Sequence, residues 1–299
     1  MDILWSALFA VLLVGYFAFE GANIGLGMLL PVLGRTRDGR DRLVAAMAPF
    51  VLAGEVWLVA VAGVLFGVYP RAEGEVLFAL YPLVVCLLVS WIVRDAGLWF
   101  RRRLDGSAWR AGWDRMICLG SWGLALSWGA ALAWLAAGPS AVPAALAGAA
   151  ALAAALAFHG RSFAAWLLPA GPEPAVSPAA DPAADPVTAP AAGTATGAGA
   201  GAATGIGAGT VTGTVIRRGT GGGRGARALA VSACVAAAPA AALLAGAAPW
   251  LLEHTAPVDT LNVLSLMILP FAPVMVGAQV WVWRTFGPRG AADRSPSFF

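Results

Sequence analysis

Residues 45–69 read AAMAPFVLAGEVWLVAVAGVLFGVY, an apolar run that contains one charged side chain, Glu55. A helix over this run is long enough to cross the ~30 Å hydrocarbon core of a bilayer. A second apolar run, residues 3–33, precedes it and also holds a single acid, Glu20. A carboxylate inside a membrane span costs at least a few kcal/mol unless it faces protein or water, so both acids are candidates for a functional site.

The composition of the whole chain agrees with these two runs. Of its 299 residues, 60% are hydrophobic and 12% are charged, whereas roughly 25% are charged in an ordinary soluble domain. We therefore predict an all-α polytopic membrane protein. Apolar runs of sufficient length predict seven transmembrane helices, at residues 3–33, 43–69, 76–100, 116–137, 141–158, 228–252 and 261–283.

One long segment has the opposite character. Residues 169–227 consist of Pro-Ala-Asp repeats followed by Gly-Ala-Thr tracts, a composition that cannot bury enough apolar surface to fold. It predicts a disordered cytoplasmic linker. The expected organisation is five spans in residues 1–168, the linker at 169–227, two spans in residues 228–287 and a cytoplasmic tail at 288–299.

The arginines predict the orientation of the spans. They concentrate in the first, third and fifth connections and after the last span, whereas the connection at residues 70–75 holds one Arg and two Glu. By the positive-inside rule the arginine-rich connections are cytoplasmic, so the amino terminus is outside and the carboxyl terminus is inside. These loops also account for the net charge of +3, and we expect no nucleic-acid partner.

The two acids are expected to lie at similar depth, because Glu20 is roughly 22 Å from Arg35 and Glu55 roughly 20 Å from Arg42 along their helices. Asn23 is one turn from Glu20 on the same helix face. A polar cluster of Glu20, Asn23 and Glu55 could relay protons between the first two spans. The alternative is that each acid bonds separately to a neighbouring helix and serves packing alone.

Three further polar or aromatic residues lie within the spans near these acids. Arg94 and Asp95 are near the inner end of the third span, where we favour snorkelling of the arginine to the headgroups, or a local ion pair, over a substrate site. Trp57 lies deep in the second span, unlike the tryptophans near span ends that fit an interfacial belt.

Candidate ligands for a cofactor are few. His159, at the cytoplasmic end of the fifth span, is expected to have an interfacial role, since no second axial ligand accompanies it. The three cysteines form no CxxC pair, so the sequence favours neither a disulfide nor a thiolate metal site.

Two strings carry a family resemblance: GYFAFEGANIGLGMLLP at residues 15–31 and APFVLAGEVWL at residues 48–58. In this order and spacing they resemble subunit II of the cytochrome bd quinol oxidases. The resemblance is nearly continuous over residues 1–168 and returns near residue 240. It includes Arg94, Gly97, Phe100-Arg101, Trp109-Arg110, Phe158-His159-Gly160 and residues 260–264.

The resemblance implies a non-haem subunit of a quinol:oxygen oxidoreductase complex in the bacterial plasma membrane. Haem b and haem d would be held by a partner, subunit I, and this chain would be a scaffold and a proton-path subunit. Quinol would react in the complex, and a bound quinone or lipid is a further candidate ligand. The other functions left open are a small proton-coupled transporter and a catalytically silent membrane scaffold.

The chain departs from the family pattern at three acids. One of them, usual two or three residues before the Arg101 position, is missing, with Leu98 and Trp99 there. The family's Gly-Phe-Asp-Phe-Gly reads GANIG at residues 21–25, and its Trp-Asp-Gly-Asn-Glu-Val-Trp-Leu reads VLAGEVWL at residues 51–58. Asn23 and Leu52 therefore stand where the family has Asp. The candidate proton-path residues that remain are Glu20, Asn23, Glu55, Trp57, Arg94 and Asp95.

Overall fold

The structure is a computed structural model that describes residues 1–138, 140–168 and 221–288. All regular structure in these ranges is helical. The helices are α1 (Asp2–Met28), α2 (Leu30–Leu33), α3 (Arg37–Val68), α4 (Pro70–Ala79), α5 (Tyr81–Phe100), α6 (Ser107–Ala137), α7 (Val142–Leu167), α8 (Gly221–Glu253), α9 (Val258–Ile268) and α10 (Ala272–Phe286).

Seven segments of the described chain are long and apolar enough to cross a membrane: α1, α3, α5, α6, α7, α8 and the pair α9–α10. The prediction of an all-α polytopic protein with seven spans is therefore confirmed. A short 3₁₀ turn at Leu269–Phe271 interrupts the last span. Residues 169–220 of the predicted linker and residues 289–299 of the predicted tail lie outside the described residues. Residues 221–227, also predicted as linker, instead form the first turns of α8.

Several helices extend beyond the predicted apolar runs. Helix α6 begins at Ser107, helix α7 ends at Leu167 and helix α8 begins at Gly221. Backbone hydrogen bonds continue a helix past the point where its side chains become polar. Hydropathy therefore indicates the membrane-embedded part of each helix and misses its ends.

The connection expected at residues 70–75 is helical, contrary to the prediction. Pro70 begins α4 and Glu73 lies in its first turn, and both residues suit a helix start. Helix α4 ends before Leu80, and Pro82 lies in the first turn of α5. Because a proline has no N–H to donate, it separates α4 from α5 within what was predicted as one span.

Helix α1 runs through the middle of the bundle. It packs against α3, α6, α7 and α8, and its second half, from Glu20 to Met28, is almost wholly buried. Gly25 permits a close crossing, since a Cβ there would overlap the backbone carbonyl oxygen of Leu156 in α7 and lie 2.8 Å from the backbone nitrogen of Gly160. This central helix carries Glu20, which explains how that acid can meet several neighbouring helices.

Charged side chains join the ends of α3, α5 and α6 on the arginine-rich side. Arg101 is fully buried; its Nε donates to Asp114 Oδ1 at 2.6 Å, and its Nη1 lies 2.6 Å from Asp41 Oδ1. Arg40 Nε donates to the other oxygen of Asp114 at 2.8 Å. Burial alone lowers the pKa of Arg101, but its ion pairs with Asp114 and Asp41 raise it above the ordinary value. Arg40 and Arg101 belong to the arginine-rich connections that predict the orientation, and they also hold helix ends together.

Candidate functional site

The centre of the candidate site is Arg94, whose side chain is 1% exposed in α5. Its Nη1 donates to Glu20 of α1, its Nη2 to Glu55 Oε1 of α3 at 2.6 Å, and its Nε to Asp95 Oδ1 at 3.0 Å. One guanidinium thus binds carboxylates from three helices. A buried charge requires such partners, because an unpaired ion in an apolar interior is very costly.

Two more side chains complete what we call the Arg94 cluster: Glu20, Asn23, Glu55, Trp91, Arg94 and Asp95. Asn23 Nδ2 donates to Glu20 Oε2 at 2.9 Å, and Trp91 Nε1 donates to Glu55 Oε1 at 3.1 Å. Asn23 is fully buried, and its Oδ1 has no hydrogen-bond partner in the described part of the chain. An unsatisfied buried acceptor costs about 1–3 kcal/mol, so this oxygen favours a donor such as water.

Glycines allow the helices to approach the cluster. A Cβ at Gly54 of α3 would lie 3.1 Å from Glu20 Cα, and one at Gly120 of α6 would lie 2.6 Å from the backbone nitrogen of Arg94. Both distances are shorter than ordinary van der Waals contact. The absence of side chains at Gly54 and Gly120 therefore lets α3 and α6 press against the two residues that carry the buried charge.

The three carboxylates differ in exposure. The side chain of Glu20 is 1% exposed, that of Glu55 is 16% exposed and that of Asp95 is 25% exposed. Glu55 and Asp95 line a small pocket between α3 and α5, together with Leu52 and Leu98. The pocket has room for about one water molecule. The cluster is thus sealed at Glu20 and opens to the surface of the bundle at Asp95.

The structure brings together five of the six residues singled out in the sequence. Glu20 and Asn23 are hydrogen-bonded to each other, and Glu55 joins them through Arg94. Of the two alternatives expected for Arg94, the local ion pair is present, with Asp95, whereas snorkelling is not, since three carboxylates within the bundle bind the guanidinium. Trp57 bonds elsewhere: its Nε1 donates to Gln279 Oε1 of α10 at 3.2 Å.

Sequence reasoning missed Trp91, Gly54 and Gln279. Trp91 lies three residues before Arg94, a spacing that places two side chains on the same helix face, so this signal was available. Gln279 is the one amide in the apolar run 266–283, so a signal for this residue was also available in the sequence. Gly54 carries no such signal, because only the contact with α1 shows why a side chain is excluded there.

His159 is fully buried between helices, and the predicted interfacial role is wrong. Its Nδ1 is 2.8 Å from Ser232 Oγ of α8, and its Nε2 is 3.0 Å from the Ala18 carbonyl oxygen of α1. Hydrophobicity placed His159 at a span end, but α7 continues to Leu167. The imidazole therefore joins α7 to α1 and α8.

The order of these residues along the chain can be compared with known proteins. The family model for cytochrome bd terminal oxidase subunit II matches residues 1–286. The chain belongs to this family. The match covers all seven spans, so every residue of the Arg94 cluster lies within the matched range.

Curated relatives agree with the family assignment. The chain is 31% identical over 121 residues to the cytochrome bd-I ubiquinol oxidase subunit 2 of Escherichia coli K12, covering 40% of this chain and 32% of the relative. It is 36% identical over 118 residues to the cytochrome bd ubiquinol oxidase subunit 2 of Bacillus subtilis 168, covering 40% and 35%. The chain thus matches about a third of each relative's length.

These bacterial relatives and the seven spans identify a multi-pass protein of the bacterial plasma membrane. The resemblance implied that haem would be held by a partner subunit and not by this chain. Within residues 1–138, 140–168 and 221–288, no group of three or more His, Cys, Asp or Glu side chains is arranged to hold a metal ion. Leu52, which stands where the resemblance implies an acid, lines the pocket beside Glu55 and Asp95.

Proposed function

We propose that this chain is the non-haem subunit II of a membrane complex that oxidises quinol and reduces oxygen to water. Membership of the cytochrome bd subunit II family supports this proposal, and the Escherichia coli and Bacillus subtilis relatives are named as ubiquinol oxidase subunits. The proposed partner is a subunit I that holds haem b and haem d. Membrane lipids surround the complex, and a bound quinone or lipid remains part of the proposal.

The reaction sets the chemical demand on such a complex. Each O₂ reduced to two waters consumes four electrons and four protons, and the protons must cross low-dielectric protein to reach buried haem. Carboxyl groups within spans are a common means of carrying protons across such a region. The Arg94 cluster supplies three of them at one depth, and this observation carries the proposal of a proton path.

A scaffold role is supported by the same cluster. The ion pairs of Arg94 join α1, α3 and α5, and breaking a buried ion pair by removing one partner costs about 3–5 kcal/mol. The two roles make different predictions for isosteric amides. A glutamine keeps the hydrogen bond from Arg94 but cannot carry a proton as a carboxyl group does.

The experiment that tests the proposal is purification of the complex from cells that express this chain with its neighbouring genes. We expect a haem-bearing partner to co-purify and quinol-dependent oxygen consumption to be measurable. As a matched comparison, Glu55→Gln is set against Glu75→Gln, which removes an exposed acid in α4. Purification of the intact chain without any haem protein would contradict the proposed function.

A further inference from the structure

Asp95 is the outermost acid of the Arg94 cluster, and it shares the pocket with Glu55. Both side chains bind the Arg94 guanidinium, Glu55 through Nη2 at 2.6 Å and Asp95 through Nε at 3.0 Å. Two carboxyl groups held side by side in this way can hydrogen-bond to each other only if one of them carries a proton, because an ionised carboxylate has no hydrogen to donate.

The charge balance of the cluster leads to the same conclusion. One guanidinium faces three carboxyl groups, so full ionisation would leave two negative charges uncompensated inside a membrane span. Asn23 and Trp91 are neutral donors and add no positive charge. Tyr16, which lies near enough to interact electrostatically with Glu20, adds none either. Like charges at close range disfavour ionisation of both partners.

The positions of the three acids indicate which two of them share the proton. Glu20 has the most saturated surroundings, since Arg94 and Asn23 each donate to one of its oxygens. Asp95 receives one bond, from Arg94 Nε at 3.0 Å, and is the most exposed of the three. Burial disfavours a charge on Glu20, but the two donors that bind its oxygens, one of them a cation, favour the ionised form. The outer two acids, one of which receives a single bond, are therefore best placed to share a proton.

We propose that Glu55 and Asp95 form a carboxyl pair that holds one proton and exchanges it with water through the pocket between α3 and α5. A hydronium ion in the pocket gives its proton to Asp95, forming an O–H bond and leaving water. Transfer to Glu55 breaks that O–H bond, forms one on Glu55 and restores the Asp95 carboxylate. The use of this proton in oxygen reduction rests on the proposed function, whereas the shared proton does not.

The position of Asp95 in the pocket can be compared with that of Leu52. Leu52 of α3 stands where the resemblance implies an acid, and it lines the same pocket as Asp95 of α5. Asp95 therefore places a carboxyl group on the α5 side of the pocket, although the residue at position 52 on the α3 side is leucine. The buried Asn23 Oδ1, which lacks a donor among the described residues, independently indicates a hydrogen-bond donor at the inner end of the cluster.

The test is infrared spectroscopy of the full-length chain in lipid nanodiscs, where the C=O stretch of a protonated carboxyl group is separate from that of a carboxylate. We expect the protonated band in the wild type to shift on transfer to D₂O. Asp95→Asn and Glu55→Gln should each remove it, and Glu75→Gln should leave it unchanged. Asp95→Glu, which keeps a carboxyl group, should retain a protonated band.

The outcomes separate this inference from the proposed function. Retention of the full band in Asp95→Asn or in Glu55→Gln overturns the pair, as does a band that does not respond to D₂O. Thermal unfolding of each variant in the same nanodiscs identifies any loss caused by misfolding, and Asp95→Glu serves as the folded reference. None of these measurements requires a haem partner or oxidase activity, so a failed purification of the complex leaves this test intact.

Discussion

Arg94 Nη2 lies 2.6 Å from Glu55 Oε1, and this contact joins α5 to α3 within the membrane-spanning part of both helices. Glu55 Oε1 also accepts from Trp91 Nε1. The carboxyl group is therefore oriented by two donors on one helix while its side chain remains partly open to the pocket.

The first prediction concerns Glu55 and proton delivery. Glu55→Gln keeps the size of the side chain and an acceptor for Arg94, so we expect the complex to assemble with normal haem content. Oxygen consumption per haem should fall about a hundredfold or more, as expected when a proton-transfer group is lost. Glu55→Ala should lower assembly as well, because it leaves Arg94 and Trp91 without this partner. Activity per haem that is unchanged in Glu55→Gln would exclude the relay.

Glu20 should respond differently from Glu55. It is sealed from solvent and bonded by both Arg94 and Asn23, so Glu20→Gln removes a charge that balances Arg94. We expect its main effect on the yield and thermal stability of the chain, and a smaller effect than Glu55→Gln on activity per haem. For each variant we compare the loss of yield and thermal stability with the loss of oxygen consumption per haem. A larger loss of turnover in Glu20→Gln than in Glu55→Gln would contradict this order.

Removal of Arg94 should be more damaging than removal of either glutamate. Arg94→Leu leaves the carboxyl groups of α1, α3 and α5 without their shared cation, at a cost of about 3–5 kcal/mol. We expect the full-length chain to be lost from the membrane fraction. Arg94→Lys keeps the charge but cannot match the three separate donors of the guanidinium, so partial recovery of yield is expected. Equal yields for Arg94→Leu and wild type would show that the ion pairs do not hold the bundle together.

Gly54 and Gly63 form a matched pair on α3. A Cβ at Gly54 would approach Glu20, whereas one at Gly63 would meet no atom within 4 Å. We expect Gly54→Ala to lower the free energy of unfolding by about 1–3 kcal/mol through overpacking. Gly63→Ala should be neutral or slightly stabilising, because alanine favours a helix by about 1 kcal/mol. Denaturation in mixed micelles measures both, and equal effects would refute the close approach at Gly54.

The bond between Trp57 and Gln279 should couple α3 to α10. A double-mutant cycle of Trp57→Phe and Gln279→Leu isolates the pair, and we expect a coupling free energy of roughly 0.5–1.7 kcal/mol, as for other hydrogen bonds between membrane helices. Asn262→Leu and Trp57→Phe form the control cycle, since Asn262 makes no hydrogen bond with Trp57. Strict additivity in the first cycle would mean that this bond contributes nothing to the docking of α10.

The sequence alone was sufficient to predict the seven spans, because the length of an apolar run and its cost of exposure to water are local properties of the chain. It also indicated that Glu20, Asn23 and Glu55 lie at similar depth, since rise per residue converts position into distance. The ends of the helices could not be predicted in this way, as α4 and the extended α7 show, because polar side chains do not stop a hydrogen-bonded helix.

The direction in which each helix faces was decided by the tertiary structure. Arg94 is 74 residues from Glu20 and 39 from Glu55 along the chain, and hydropathy treats an arginine near a span end as free to reach the headgroups. Only the packing of α5 against α6, allowed by Gly120, and of α3 against α1, allowed by Gly54, directs the guanidinium inward. A buried cation needs its acids within hydrogen-bonding distance, and that condition depends on the rotation and separation of three helices, which no single apolar run determines.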